Sequence, residues 1–148
     1  MVDKTTLEAW VENGWIRRHP VDKTEISKML ETAEQDLEDS ATSGLSSGWR
    51  FNIAYSAILT MAGVALAACG YRAERETYHY WSIQSLSLTV GLEATVVDQL
   101  DSYRKKRHTA TYEEIRQVSE KEADEIFLVA SGLWERLLQW LKQECGSL

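Results

Sequence analysis

The stretch FNIAYSAILTMAGVALAACGY, residues 51–71, decides the fold, because it runs for 21 positions without a charged residue. A helix of this length is long enough to span a bilayer. Asn52, Ser56, Thr60 and Gly63 dilute its apolar content, however. A helix buried on all sides of a soluble bundle has the same composition. The stretch therefore favours a central core helix, with the membrane span as the alternative.

Helical periodicity continues upstream of this core helix. Asp22, with Glu25 three residues further on, is typical of an N-cap with its capping-box partner. The apolar residues that follow keep helical spacing as far as residue 41, and a turn of Ser and Gly then leads into the uncharged stretch. These signals predict one amphipathic helix packed against the core helix.

Downstream, helices are expected over residues 77–90 and 93–108. Thr111 and Glu114 then predict a capping box that opens the last helix. No alternation of apolar and polar residues is long enough to indicate a strand. The sequence thus predicts an all-α, up-and-down helical bundle of four to five core helices.

A short helical arm is expected before the bundle. It covers about residues 6–13, ends at Gly14 and is separated from the rest by Pro20, the only proline. We expect an N-terminal arm of residues 1–20 and one bundle domain of residues 21–148.

The charge balance limits the classes of partner. The chain of 148 residues has a net charge of −7, which does not suit wholesale capture of nucleic acid or anionic lipid. The first 20 residues contain no apolar run of the signal-peptide type. Cys69 and Cys145 are the only cysteines and do not form a zinc or redox motif. We expect a cytoplasmic protein with no membrane association, no cofactor and no metal site.

One basic island interrupts the acidic chain, RKKR at residues 104–107. At about 100° per residue, Arg107 falls in the same sector of its helix as Leu100 and Tyr103. Arg104 lies about 60° from that sector. We therefore expect the two arginines to face the protein and the two lysines between them to face solvent.

Two interpretations of this island stay open. Cations at a helix C-terminus stabilise the helix dipole, and an inward guanidinium can pair with a carboxylate. Alternatively, Arg107 and Arg104 bind a phosphate at the mouth of a cleft, with His108 and Tyr112 beside them. His108 and Tyr112 are then the candidate catalytic residues.

Three stretches together resemble a known family: RFNIAYSA at residues 50–57, His79, and LDSYRKKRHTATY at residues 100–112. The order is similar to that of prokaryotic HEPN domains, in particular a small branch with A-Y-x-A on the second helix. In that branch an arginine pair precedes a tyrosine at the junction of the last two helices. The resemblance extends over residues 26–141.

The resemblance implies a bundle, commonly a homodimer, that acts in RNA cleavage, in toxin–antitoxin pairs or in nucleotide binding beside a nucleotidyltransferase. Ribonuclease members carry R-x(4–6)-H at the helix junction. That motif is not intact here, because His108 directly follows Arg107 and lies one position too close to Arg104. Arg72 and His79 have the right separation but lie elsewhere, so His79 is expected to cap or pack its own helix.

Three functions follow as expectations. The first is a dimeric module that binds a nucleotide or RNA phosphate, without intact ribonuclease chemistry. The second is a protein-interaction subunit with no nucleotide role, such as an antitoxin, and the third is an active metal-independent ribonuclease. Apolar residues that spread around the last helix near Trp134 and Trp140 suggest a dimer interface.

Overall fold

The computed structural model describes residues 1–109 and 117–145 and confirms the all-α fold class. Within these residues the chain forms six α-helices and one two-stranded sheet. The helices are α1 (Lys4–Glu12), α2 (Lys23–Ser40), α3 (Ser47–Ala68), α4 (Tyr78–Gln84), α5 (Ala94–Thr109) and α6 (Glu120–Cys145). The strands are β1 (Ile16–Arg18) and β2 (Tyr71–Ala73).

Helix α3 is the centre of the bundle, as the uncharged stretch predicts. Thirteen of its 22 residues are buried, and α2 and α6 cover most of its surface. Its many alanines allow these neighbours to approach closely. Among the described residues, α3 is also the one helix long and apolar enough to cross a membrane, although 67% of its most apolar window is buried inside the fold. Core helices of soluble proteins pass the same test.

The N-cap of α2 predicted at Asp22 is confirmed, whereas the Glu25 carboxylate, expected to complete a capping box, lies 2.9 Å from His19 Nε2. The Asp22 side chain accepts hydrogen bonds from the backbone N–H groups of Thr24 and Glu25, at 3.0 and 3.2 Å. It therefore satisfies two of the donors that a helix start leaves unpaired.

Arg50, in the first turn of α3, holds three helices together. Its Nε donates to the carbonyl of Ser40 at the end of α2, at 3.0 Å. Its two terminal nitrogens donate to Glu120 and Asp124 of α6, at 2.9 and 2.7 Å. Since 85% of the Arg50 side chain is covered, the guanidinium is a structural contact of the core.

The sheet is a finding that the sequence did not predict. Strands β1 and β2 pair antiparallel, with Arg17 opposite Arg72 and Ile16 opposite Ala73. Each strand has only three residues, too few to show alternation. The pairing brings the N-terminal segment against the end of α3, where Ile16, Tyr71 and Leu66 share a second, smaller core.

Two helix predictions are wrong in detail. The helix expected over residues 77–90 is divided, because short 3₁₀ turns (Arg75–Thr77 and Ser85–Ser87) flank α4. The last helix begins at Glu120, where Ser119 and Glu122 cap each other. Thr111 and Glu114, the capping box expected in its place, lie outside the described residues.

The apolar residues of the last helix, which suggested a dimer interface, are used within the chain. Trp140 is buried in the core of the single chain, and Trp134 packs against that core half-buried. The apolar spread that suggested a dimer is therefore largely accounted for by packing within one chain.

Candidate functional site

Two histidines that are 29 positions apart in the chain come into contact. His79 lies in the first turn of α4 and His108 in the last turn of α5. Their facing nitrogens, His79 Nδ1 and His108 Nε2, are 2.9 Å apart. The two rings meet edge to face, with centroids 4.5 Å apart. We call these two residues the imidazole pair.

Tyr55 of α3 supports the imidazole pair from beneath. Its hydroxyl lies 2.9 Å from the same His79 Nδ1, and its ring stacks on the His79 ring at 5.8 Å. Tyr55 is 2% exposed. A buried side chain of the central helix therefore fixes where the His79 imidazole lies.

The electrostatic environment assigns the hydrogen-bonding roles. Burial raises the pKa of Tyr55 well above its ordinary value, so its hydroxyl stays protonated and can donate. Burial also holds the pKa of His79 below its usual value, and the positive charges of His108, Arg107 and Arg104 lower it further. His79 is thus neutral at pH 7, and its Nδ1 lies within hydrogen-bond distance of both the Tyr55 hydroxyl and His108 Nε2.

One consequence concerns protons. The two facing nitrogens share a single proton, because two N–H groups pointing at each other across 2.9 Å would repel. Protonation of His79 at Nδ1 therefore requires this contact with His108 to open.

Arg104 lies against the protein, as the helical arithmetic predicts. Its Nε donates to Asp101 at 2.6 Å, and its guanidinium lies over the Tyr80 ring, 5.1 Å from the centroid. The side chain is 20% exposed. Arg104 is thus mostly covered and held in one position by Asp101 and Tyr80.

Arg107 differs from the prediction. It is exposed, and no carboxylate within residues 1–109 and 117–145 pairs with it. Arg107 shares the sector of the buried residues Leu100 and Tyr103, but it lies in the last turn of α5, where the side chains after Arg104 are no longer buried. The positive charge of Arg107 still acts on both His79 and Tyr55. Within the described residues, its guanidinium is therefore exposed and carries its charge close to the imidazole pair.

The two lysines also divide differently than expected. Lys105 is exposed, as predicted, and lies 3.5 Å from Asp101. Lys106 was expected in solvent but turns towards α6, where it pairs with Glu122 and lies over the Phe51 ring. Lys106 is therefore a packing contact.

Tyr112, the second candidate catalytic residue, lies outside the described residues. The structure thus places three of the four predicted site residues (Arg104, Arg107 and His108) on the last turns of one helix.

No protein-family model matches this sequence, and no curated protein or solved structure matches it either. The HEPN resemblance remains a prediction from the sequence.

Sequence reasoning missed the role of His79 and Tyr55. The separation of Arg72 and His79 drew attention to His79, but the partner that the structure supplies is His108. Tyr55 belongs to the A-Y-x-A stretch that carries the resemblance, which was the available signal. Separately, the described residues contain no group of three or more His, Cys, Asp or Glu side chains that could hold a metal ion.

Proposed function

We propose that this protein binds a phosphate group of a nucleotide or an RNA strand at the imidazole pair, with Arg107 and Arg104 as further ligands. The contact between His79 and His108 carries the proposal. The two imidazoles meet at the end of α5, where the charges of Arg107 and Arg104 act on His79, in a chain whose net charge is −7. Such a local concentration of N–H donors suits the oxygens of a phosphate.

Binding is expected to depend on pH. A phosphate next to His79 favours its protonated form, whereas the empty site disfavours it. Affinity should therefore rise as the pH falls through the lowered pKa of His79, below its usual value of about 6.5. A site made of arginines alone would show no such rise, because guanidiniums stay charged throughout this range.

Calorimetric titration with ADP and with a short RNA tests the proposal. Arg107→Ala and His108→Ala should each weaken binding by tenfold or more, since one hydrogen bond to a charged group contributes about 1.5–3 kcal/mol. Lys105→Ala is the matched control, because it removes one charge from the same helix turn on its exposed side. It should change affinity by less than about threefold, which is the range of a screened surface charge. Equal affinities for all four proteins, or no binding by the wild type, would refute the proposal.

A second candidate, a metal-independent ribonuclease, is favoured by one specific observation. The R-x(4–6)-H motif is broken, but His79 supplies a second imidazole within the same chain. Once a bound strand separates the two imidazoles, the Nδ1 lone pair of neutral His79 can accept the proton of a 2′-hydroxyl as its oxygen attacks the adjacent phosphorus. Protonated His108 can then donate a proton to the departing 5′-oxygen. The products would be a 2′,3′-cyclic phosphate and a free 5′-hydroxyl.

Cleavage is tested separately from binding. Purified wild type, His79→Ala and His108→Ala proteins are incubated with structured and with single-stranded RNA in a chelator. The ribonuclease proposal expects cyclic phosphate termini from the wild type alone. Cleavage that survives both substitutions would instead identify a contaminant or other residues as its source.

The homodimer, and a toxin–antitoxin or nucleotidyltransferase partner, stay proposals that rest on the resemblance to HEPN domains. In the ribonuclease members two motifs meet across a dimer. Here the imidazole pair forms within one chain, so phosphate binding as proposed needs no second copy.

A further inference from the structure

Three arginines outside this site line one groove. Arg17 lies on β1, Arg72 on β2 and Arg75 in the turn that follows β2. Together with Ala73 and Tyr78 they surround a volume of about 390 Å³. We call this surface the arginine groove.

The placement of these arginines is unfavourable for the free protein. Arg17 and Arg72 are directly opposite each other in the antiparallel pair, and like charges in that position repel. Neither these two nor Arg75 forms an ion pair with any carboxylate in the described part of the chain. The neighbouring Arg18, by contrast, pairs with Glu8 at 2.5 Å. The chain has 23 acidic residues and places none of the described ones against the groove.

Tyr78 connects the arginine groove to the imidazole pair. The Arg72 guanidinium lies over its ring, 5.8 Å from the centroid. The ring centroid of His79, the next residue in the chain, lies 6.4 Å from the Tyr78 ring centroid. Arg72 and His79 are therefore separated by no more than the sum of these two distances. One extended ligand can reach both.

We propose that the arginine groove binds the sugar–phosphate backbone of an RNA strand whose next phosphates lie at the imidazole pair. This inference rests on the proposed function and names its substrate class, an RNA strand in preference to a mononucleotide. A mononucleotide bound at the imidazole pair does not reach the arginine groove, so the repulsion between Arg17 and Arg72 remains. A strand brings phosphates to both surfaces and removes that repulsion.

The salt dependence of binding measures the groove directly. Each phosphate neutralised on a single strand contributes a slope of about −0.7 to the plot of log affinity against log salt. Substituting Arg17, Arg72 and Arg75 with alanine should therefore reduce the slope by about 2. Between 50 and 200 mM salt, the wild type should lose about 20-fold more affinity than this variant.

The test uses fluorescence anisotropy with a labelled 12-nucleotide RNA, and ADP calorimetry in parallel. The control protein carries Lys23→Ala, Lys121→Ala and Lys142→Ala, which remove the same charge from exposed positions on α2 and α6. The arginine variant should bind RNA at least tenfold more weakly than the control and bind ADP as the wild type does. Thermal unfolding checks that the arginine variant is folded at the temperature of the binding assays, since its substitutions remove both the repulsion between Arg17 and Arg72 and the contact of Arg72 with Tyr78.

The outcomes separate this inference from the proposed function. Equal RNA affinity and salt slope for the arginine variant and the lysine control would overturn the inference alone. A second outcome is that the arginine variant loses RNA binding, whereas a variant with both His79 and His108 replaced by alanine binds RNA as the wild type does. This outcome would overturn the proposed function, and with it the proposal that one strand occupies both surfaces. A polyglutamate peptide of equal charge that binds as tightly as the RNA would also overturn the choice of RNA.

Discussion

Gly63→Ala is the sharpest test of the packing between α3 and α4. Gly63 lies in the middle of the buried helix and faces Tyr78, the residue between the arginine groove and the imidazole pair. A Cβ atom added at Gly63 would lie 2.6 Å from the Tyr78 hydroxyl oxygen and 3.2 Å from the Met29 methyl carbon. The methionine side chain can move aside, whereas the tyrosine ring has few alternative positions.

The expected free-energy change has two opposing parts. Replacing glycine with alanine inside a helix stabilises it by about 1 kcal/mol. A contact of 2.6 Å is about 1 Å shorter than normal packing distances, and overpacking of this kind costs about 1–3 kcal/mol. Gly63→Ala should therefore destabilise the wild type by about 1 kcal/mol.

Tyr78→Phe should reverse the sign of the free-energy change caused by Gly63→Ala. Without the hydroxyl, the nearest ring atom is the Tyr78 Cζ position, 3.8 Å from the new Cβ, which is ordinary contact. In that background Gly63→Ala should stabilise the fold by about 1 kcal/mol, so the coupling between the two substitutions is about 2 kcal/mol. Urea unfolding of the four proteins measures this coupling. An equal effect of Gly63→Ala in both backgrounds would refute the packing that we describe.

Three further predictions concern stability and assembly. Arg50→Ala should lower the free energy of unfolding by about 2 kcal/mol, because the buried Ser40 carbonyl loses its donor. Urea titration measures this change, and the control Lys121→Ala should change the free energy of unfolding by less than about 0.5 kcal/mol. The free energy of unfolding, measured from pH 7.5 to pH 5, should decrease once the pH is below about 6.5, because His79 takes up a proton more readily in the unfolded chain than in the folded one. His79→Gln should flatten this part of the pH profile. For the proposed homodimer, Leu128, 68% exposed on α6, is expected in the interface, so Leu128→Glu should convert a sedimenting dimer to a monomer. A wild-type monomer at tens of micromolar would contradict that assembly.

The helices could be predicted from the sequence because their signals are local. The uncharged stretch at residues 51–71 and the Asp22 cap each depend on residues within a few turns of one another. The β1–β2 pairing could not be predicted in this way. Its partners are more than 50 positions apart, and three residues do not show a period.

The candidate site was predicted only in part, for the same reason. The basic island at residues 104–107 was visible, and helical spacing placed Arg107 in the sector of Leu100 and Tyr103, which are buried. How far along α5 its neighbours cover the helix depends on tertiary packing, so the exposure of Arg107 in the last turn could not be predicted. The contact between His79 and His108 depends on how α4 packs against α5, which no local pattern records.

The central position of α3 has a consequence for the order in which the protein is made. This helix has hardly any polar face of its own, and one side of it is covered by α6, which follows it by more than 50 residues in the chain. While the ribosome is translating the intervening residues, that apolar side has no partner within the nascent chain. Chaperone dependence during synthesis should therefore be set by α3, and it should end once α6 has left the ribosome.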